Sequence, residues 1–257
     1  MKKAPALFIG HGSPMNAIEE NEFTRNWEVI AKRFDPPKAI LSVSAHWFTN
    51  GTRISDAENP KMIYDMYGFP DELYRIVYPA HGAPELARRS AELIGRKSVF
   101  DQSWGYDHGT WSVLHRMFPK ADIPVFQMSV DRTANAQTHY EIGQKLSALR
   151  KDGVMILGSG NAVHNLAMVD WEMSGGYPFA EVFDHYVVNA VTERNADHLI
   201  HYRKEDNGSE QAFVTPDHYY PLLYAVGASD EKDRIELFNE KCVMGSMSMT
   251  CFLFQSE

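Results

Sequence analysis

Five imidazoles sit where a chain can do chemistry: His11 in "FIGHGSPMN", His46 in "SAHW", His108 in "YDHGTW", His164 in "GSGNAVHN" and His218 in "TPDHYYPLLYA". Neutral imidazole binds zinc, iron, copper and nickel, and three protein ligands with positions left open make a catalytic rather than a structural metal site. The only cysteines, Cys242 and Cys251, fall in an apolar C-terminal stretch, so neither a thiolate zinc site nor a disulfide framework is indicated. Other catalytic signatures are missing: no G-x-S-x-G nucleophile elbow, no H-E-x-x-H, no G-x-x-x-x-G-K-[ST] and no G-x-G-x-x-G. "GSGNAVHN" can cradle a phosphate with its backbone amides, but no Lys or Arg stands beside it. The remaining histidines, His81, His115, His139, His185, His198 and His201, mostly fall inside helical patterns and are read as surface or packing groups. His198 and His201 form an i, i+3 pair able to chelate a metal, yet no partner motif lies near them.

What positions the five is a run of strands. Short apolar stretches rich in β-branched residues occur at 6–9, 39–44, 124–130, 154–157 and 243–254, unalternating as buried strands are. His11, His46 and His164 follow three of them, and ligands of open α/β sheets bind beyond the carboxyl ends of strands. Gly10 and Gly12 flank His11 and are expected to keep backbone bulk away from a metal and its substrate. Helical spacing is clearest from Phe179 to Val191, with further helices expected at 19–34, 83–94, 110–117 and 135–150. Strand and helix in alternation predict an α/β fold: one domain over 1–257, a mainly parallel central sheet with helices on both faces. Residues 51–81, rich in aromatics and Pro, break the rhythm and are expected to form a small hairpin excursion over the sheet edge.

The bulk properties narrow the partners. A 257-residue chain with 44% hydrophobic residues can bury a full core, and a net charge of −9 without a basic run argues against nucleic acid. No apolar stretch approaches the roughly 20 residues needed to cross a bilayer. The opening "MKKAPALFIGHG" imitates a signal peptide, but its apolar part is short and no A-x-A-type site follows, so a soluble, cytoplasmic protein is expected. Monomer and homodimer both remain open.

Taken together, "GHGSPMN", "SAHW", "YDHGTW", "GSGNAVHN" and "TPDHYYPLLYA", with a closing "GSMSM", resemble the class III extradiol ring-cleavage dioxygenases, and among them the 4,5-DOPA dioxygenase family. Any one motif is weak; the ordered set covers nearly the whole chain. The resemblance implies that His11, His46 and His218 are metal ligands, with Asp217 as a substitute for His218. In the wider superfamily the third ligand is a carboxylate. The resemblance also implies that His164 is an acid–base group that can double as a fourth ligand, and that His108 is a second acid–base or orienting group. It implies Fe(II) for activity, with zinc able to occupy the same imidazoles in isolated protein, a catechol and O2 as substrates, and 4,5-cleavage of L-DOPA to 4,5-seco-DOPA. Because Zn²⁺ has no redox chemistry, oxygen chemistry requires the iron form, and a zinc-dependent hydrolase using the same histidines is the competing class. Trp47, Trp104, Tyr106, Trp111, Tyr219 and Tyr220 are available to wall a flat pocket, although aromatics more commonly fill cores. Arg132 is considered as a carboxylate clamp and set aside as a solvated loop residue.

Overall fold

Residues 3–204 and 206–256 are described by the computed structural model. Along the chain, β1 (Ala6–Gly10), α1 (Glu22–Ala31), β2 (Ala39–Thr49), β3 (Thr52–Ile54), α2 (Pro84–Ile94), β4 (Ser98–Phe100) and α3 (His108–Met117) come first. Then follow β5 (Val125–Asp131), α4 (Ala136–Lys151), β6 (Val154–Gly160), α5 (Pro178–Thr192), α6 (Ala196–Ile200), α7 (Ser209–Ala212) and α8 (Tyr220–Ala228). The chain closes with β7 (Asp233–Phe238), β8 (Cys242–Val243), β9 (Met247–Ser248) and β10 (Cys251–Ser256).

Eight of these strands form one sheet in the order β4-β3-β5-β2-β6-β1-β10-β7. Its centre is parallel, β5 with β2, β2 with β6 and β6 with β1, whereas β10 and β7 join antiparallel at one side. Because a strand turns successive side chains to opposite faces, the unbroken apolar runs feed two cores at once. Phe8, Leu41, Val43, Phe126 and Ile156 face α2, α4, α5 and α8. Leu7, Ile9, Ile40, Val125, Met155 and Leu157 face the other way, onto Trp27 and Ile30 of α1 and Trp111 and Leu114 of α3. Each such fully buried side chain contributes about 1.5–3 kcal/mol relative to exposure.

Three expectations need correction. The 51–81 segment is no hairpin: its start is β3, which inserts into the main sheet between β4 and β5, and the rest runs as irregular chain with a short 3₁₀ turn at Leu73–Arg75. The C-terminal apolar stretch is not one strand but β9 and β10, with β8 pairing β9 in a separate ribbon. Helix α3 starts at His108 rather than at 110, so His108 is a helical residue and not part of a loop. Among the described residues, no helix is long and apolar enough to cross a membrane.

Candidate metal centre

The sheet delivers its histidines in different ways. His11 leaves the end of β1 with its amide donating to Gly160 O at 3.0 Å, which ties it to the end of β6. His46 lies inside β2, where the register on β5 slips between Ser44 and Phe48, so that three β2 residues bulge out of the ladder and aim the imidazole forward. His108 is the first residue of α3, whose cap Asp107 accepts from Thr110 N and is held by Ser44 Oγ (2.6 Å) and Gln127 Nε2 (2.8 Å). His218 precedes α8, and its carbonyl accepts from Asn161 N at 3.0 Å at the end of β6. His164 follows β6, with its amide donating to Ala212 O at 2.8 Å.

Gly109 makes this convergence sterically feasible. A Cβ there would stand 2.7 Å from Ser44 Oγ, 2.9 Å from His46 Cδ2 and 3.3 Å from His11 Cε1. The glycines beside His11 serve another neighbour: a Cβ on Gly10 would meet the Met249 backbone at 2.7 Å, and one on Gly12 the Met249 sulfur at 2.6 Å. The expected clearance around a metal is therefore clearance for the C-terminal "GSMSM" segment, with Gly12 also at φ +61°.

Each of three imidazoles is fixed through Nδ1, leaving Nε2 free. Ser159 Oγ donates to Gly109 O at 2.5 Å and so accepts from His11 Nδ1 at 2.9 Å. His218 Nδ1 donates to Asp217 Oδ2 at 2.6 Å. His46 Nδ1 lies in ion-pair contact with Asp65 Oδ2 at 3.1 Å. With hydrogens on Nδ1, the Nε2 lone pairs of His46 and His11 face one another at 3.1 Å, and the buried Nε2 of His218 has no partner. One ligand atom from each of the three lies within 4.8 Å of the others. Facing lone pairs need a cation or a shared proton between them, and this donor set suits a metal.

Asp65 was not singled out in the sequence, and it organises the other half of the site. It accepts His108 N at 2.9 Å and lies 3.1 Å from His108 Nδ1, which is close but not aligned for an N–H donation. His46, Asp65 and His108 form a second group with metal-ligand spacing, the rings of His46 and His108 being 3.8 Å apart. Burial opposes ionisation of Asp65, yet its two imidazole partners hold its carboxyl far below the usual range. Burial also works against a charged His46, but contact with Asp65 wins and raises its pKa. His11 and His218 lie well below the ordinary value, from burial first and neighbouring imidazoles second, so both are neutral and ready to ligate. The signal for Asp65 was a lone acid in the aromatic stretch "MIYDMYGF".

His164 stands outside the three-histidine group and stacks on His218, centroids 3.5 Å apart and planes 3° apart. Burial, followed by the charge of His46, pulls its pKa down to about 4, leaving a neutral ring that can accept a proton. His198 and His201 belong to neither metal-capable group; His198 stacks on Tyr186 and His201 pairs with Asp197. His139 is buried against Tyr224, its Nδ1 3.0 Å from the phenol oxygen.

All five histidines open into one cleft of about 730 Å³. Its aromatic walls are Tyr67, Phe69 and Trp171, not the six weighed in the sequence: Tyr106, Trp111 and Tyr219 are core, Tyr220 is buried against His139, and Trp47 stacks on Trp104 outside the lining of the cleft. Arg132 is elsewhere, lying over Phe48 and donating to its carbonyl.

Residues 5–254 match the family model of the catalytic LigB subunit of aromatic ring-opening dioxygenase. The chain belongs to this extradiol dioxygenase family. Its relatives include a protein of Escherichia coli K12 named 4,5-DOPA dioxygenase extradiol, 46% identical over 96% of this chain and 93% of that protein. A Beta vulgaris protein of the same name is 38% identical over 97% and 96%, and the dioxygenase tasH of Hapsidospora irregularis 32% identical over 94% and 83%. A crystal structure of an uncharacterized Escherichia coli K12 protein superposes with a TM-score of 0.85 at 41% identity, covering 98% of this chain and 99% of that one. Membership makes the protein a metal-dependent ring-opening dioxygenase acting on a small molecule and O2, and the histidine cluster offers a site for the metal.

Proposed function

We propose that the chain opens a catechol next to its two hydroxylated carbons with O2, and that L-DOPA is cleaved at the 4,5 position to 4,5-seco-DOPA. The observation that carries this is the set of three imidazoles whose Nδ1 atoms are engaged and whose Nε2 atoms converge. The L-DOPA reading is supported by the names of the relatives. His11, His46 and His218 hold the metal, with Fe(II) the working ion and zinc able to occupy the same set. When bound, the metal supplies acidification of the catechol hydroxyls and the redox chemistry that O2 requires.

The chain's own groups do the rest. His164, neutral and stacked beside His218, takes a hydroxyl proton from the catechol, and its place outside the ligand group favours this acid–base role over that of a fourth ligand. His108, anchored by Asp65 at the start of α3, presents a second imidazole that returns a proton or orients the substrate. Asp65 and Asp217 fix the tautomers of His46 and His218. The buried free thiols of Cys242 and Cys251 fit a reducing, cytoplasmic setting.

The test is reconstitution under argon with Fe(II) or Zn(II), followed by L-DOPA and air. The Fe(II) protein should consume oxygen and generate a yellow semialdehyde, and the Zn(II) protein should do neither. An Fe(II) form that leaves L-DOPA and O2 untouched, together with oxygen-independent cleavage of an ester probe such as 4-nitrophenyl acetate by the Zn(II) form, would support the hydrolase class instead.

A further inference from the structure

The charge and apolar pattern of the cleft bears on which catechol it takes. A cavity of about 150 Å³ is enough to hold one benzene ring, so a cleft of about 730 Å³ leaves most of its space to whatever the ring carries. That space lies under an apolar rim. Among the described residues, nine large apolar side chains are exposed, and four of them, Tyr67 (93%), Leu166 (56%), Trp171 (65%) and Val214 (75%), line this one cleft. They come from three separate segments, after β3, after β6 and before α8, so no single helix face or loop explains their convergence.

The charged groups point the same way. Among the described lining residues the only ones with a fixed charge are Asp65 and Asp217, both already engaged with histidines, and no Lys or Arg lines the cleft. A substrate carboxylate placed at this rim would lose water and find no Lys or Arg to pair with, since His46 is already engaged by Asp65 and a bound metal would be engaged by the catechol oxygens.

We infer that the site selects catechols whose ring substituent is uncharged and apolar, seated between Trp171, Leu166, Tyr67 and Val214, over catechols that carry a free carboxylate there. This rests on the ring-cleavage reading above. L-DOPA then places its ring correctly but leaves its carboxylate unpaired, and binds more weakly than a neutral analogue.

A matched pair isolates the charge: 3-(3,4-dihydroxyphenyl)propionate and its methyl ester, titrated calorimetrically at neutral pH into the full chain, both Zn(II)-loaded and metal-free. The ester should bind at least about tenfold more tightly than the acid in both forms. In Trp171→Ala, at an exposed position where truncation leaves the core intact, that preference should shrink several-fold through weaker ester binding. Equal affinity for acid and ester, or an unchanged ratio in Trp171→Ala, overturns the inference. Oxygen uptake by the Fe(II) protein separates the two readings. If no catechol consumes oxygen while the ester preference persists, ring cleavage fails and the apolar site stands; oxygen uptake without that preference means the reverse.

Discussion

His46 Nε2 and His11 Nε2 face each other at 3.1 Å, and each ring is held from behind, His46 by Asp65 and His11 by Ser159. A cation between them removes the repulsion of two lone pairs. The protein should therefore gain stability on binding Fe(II) or Zn(II), by about 4 kcal/mol at a thousandfold excess over Kd. His11→Ala should abolish uptake of the metal measured by elemental analysis, and with it the rise in Tm. A rise in Tm that survives in His11→Ala would place the metal elsewhere.

Asp65→Asn keeps the size of the side chain but removes the charge that orients His46 and supports His108. Metal affinity should fall about 10–100-fold, as when the partner of a ligating histidine is lost. An unchanged affinity in a competition titration would reduce Asp65 to a packing role.

His164→Ala should behave differently from the ligand variants. Turnover should drop about 10²–10⁴-fold, the scale of a lost acid–base group, while the protein still carries metal. Complete metal loss in this variant would move His164 into the ligand set.

Gly109→Ala tests the crowding between α3 and β2. The new methyl would overlap Ser44 Oγ and His46 Cδ2 and must push the imidazole aside. A shift near 1 Å in a catalytic group costs about a hundredfold in turnover. Turnover close to that of the parent protein would show that the close approach is not needed.

Asp184 gives a stability signature away from the site. Burial, and then the nearby Glu181 and Glu240, raise its pKa to about 6, although Ser248 and Thr250 donate hydroxyls to it at 2.5 and 2.7 Å. A folded-state pKa above the unfolded value of about 3.9 means that the proton is held more tightly in the folded chain. This favourable contribution is complete below about pH 4 and is lost as pH rises towards 6, leaving a deficit of about 3 kcal/mol. Relative to Asp184→Asn, the parent protein should lose Tm between pH 4 and 6. A constant difference across that window would contradict the shift.

The central strands and the amphipathic α5 were legible because their patterns are local: β1, β2, β5 and β6 are continuous apolar runs, and the Phe179–Val191 spacing marks one face. Helix α8 was not, because it is buried on nearly every side and so shows no polar stripe. Strands β3 and β4, of three residues each, are too short to show a period, and half of the six residues of β7 are charged. For the site, the positions of His11 and His164 after strands were readable, while the ligand set came from the likeness of five motifs to a known family and not from spacing. The slip in β2 that aims His46 and the return of Asp65 from 43 residues away to the His108 amide are tertiary facts, with no local periodicity to announce them.

The most direct measurement is isotopic. Fe(II)-loaded protein is given L-DOPA under ¹⁸O2, and the ring-opened product is trapped at once by reduction of its aldehyde and weighed by mass spectrometry. Incorporation of two labelled oxygen atoms, together with one O2 consumed per ring opened, is the result expected of extradiol cleavage at this centre. L-DOPA recovered unchanged with no O2 consumed, or a product that carries fewer than two labelled atoms when trapped at once, would contradict it.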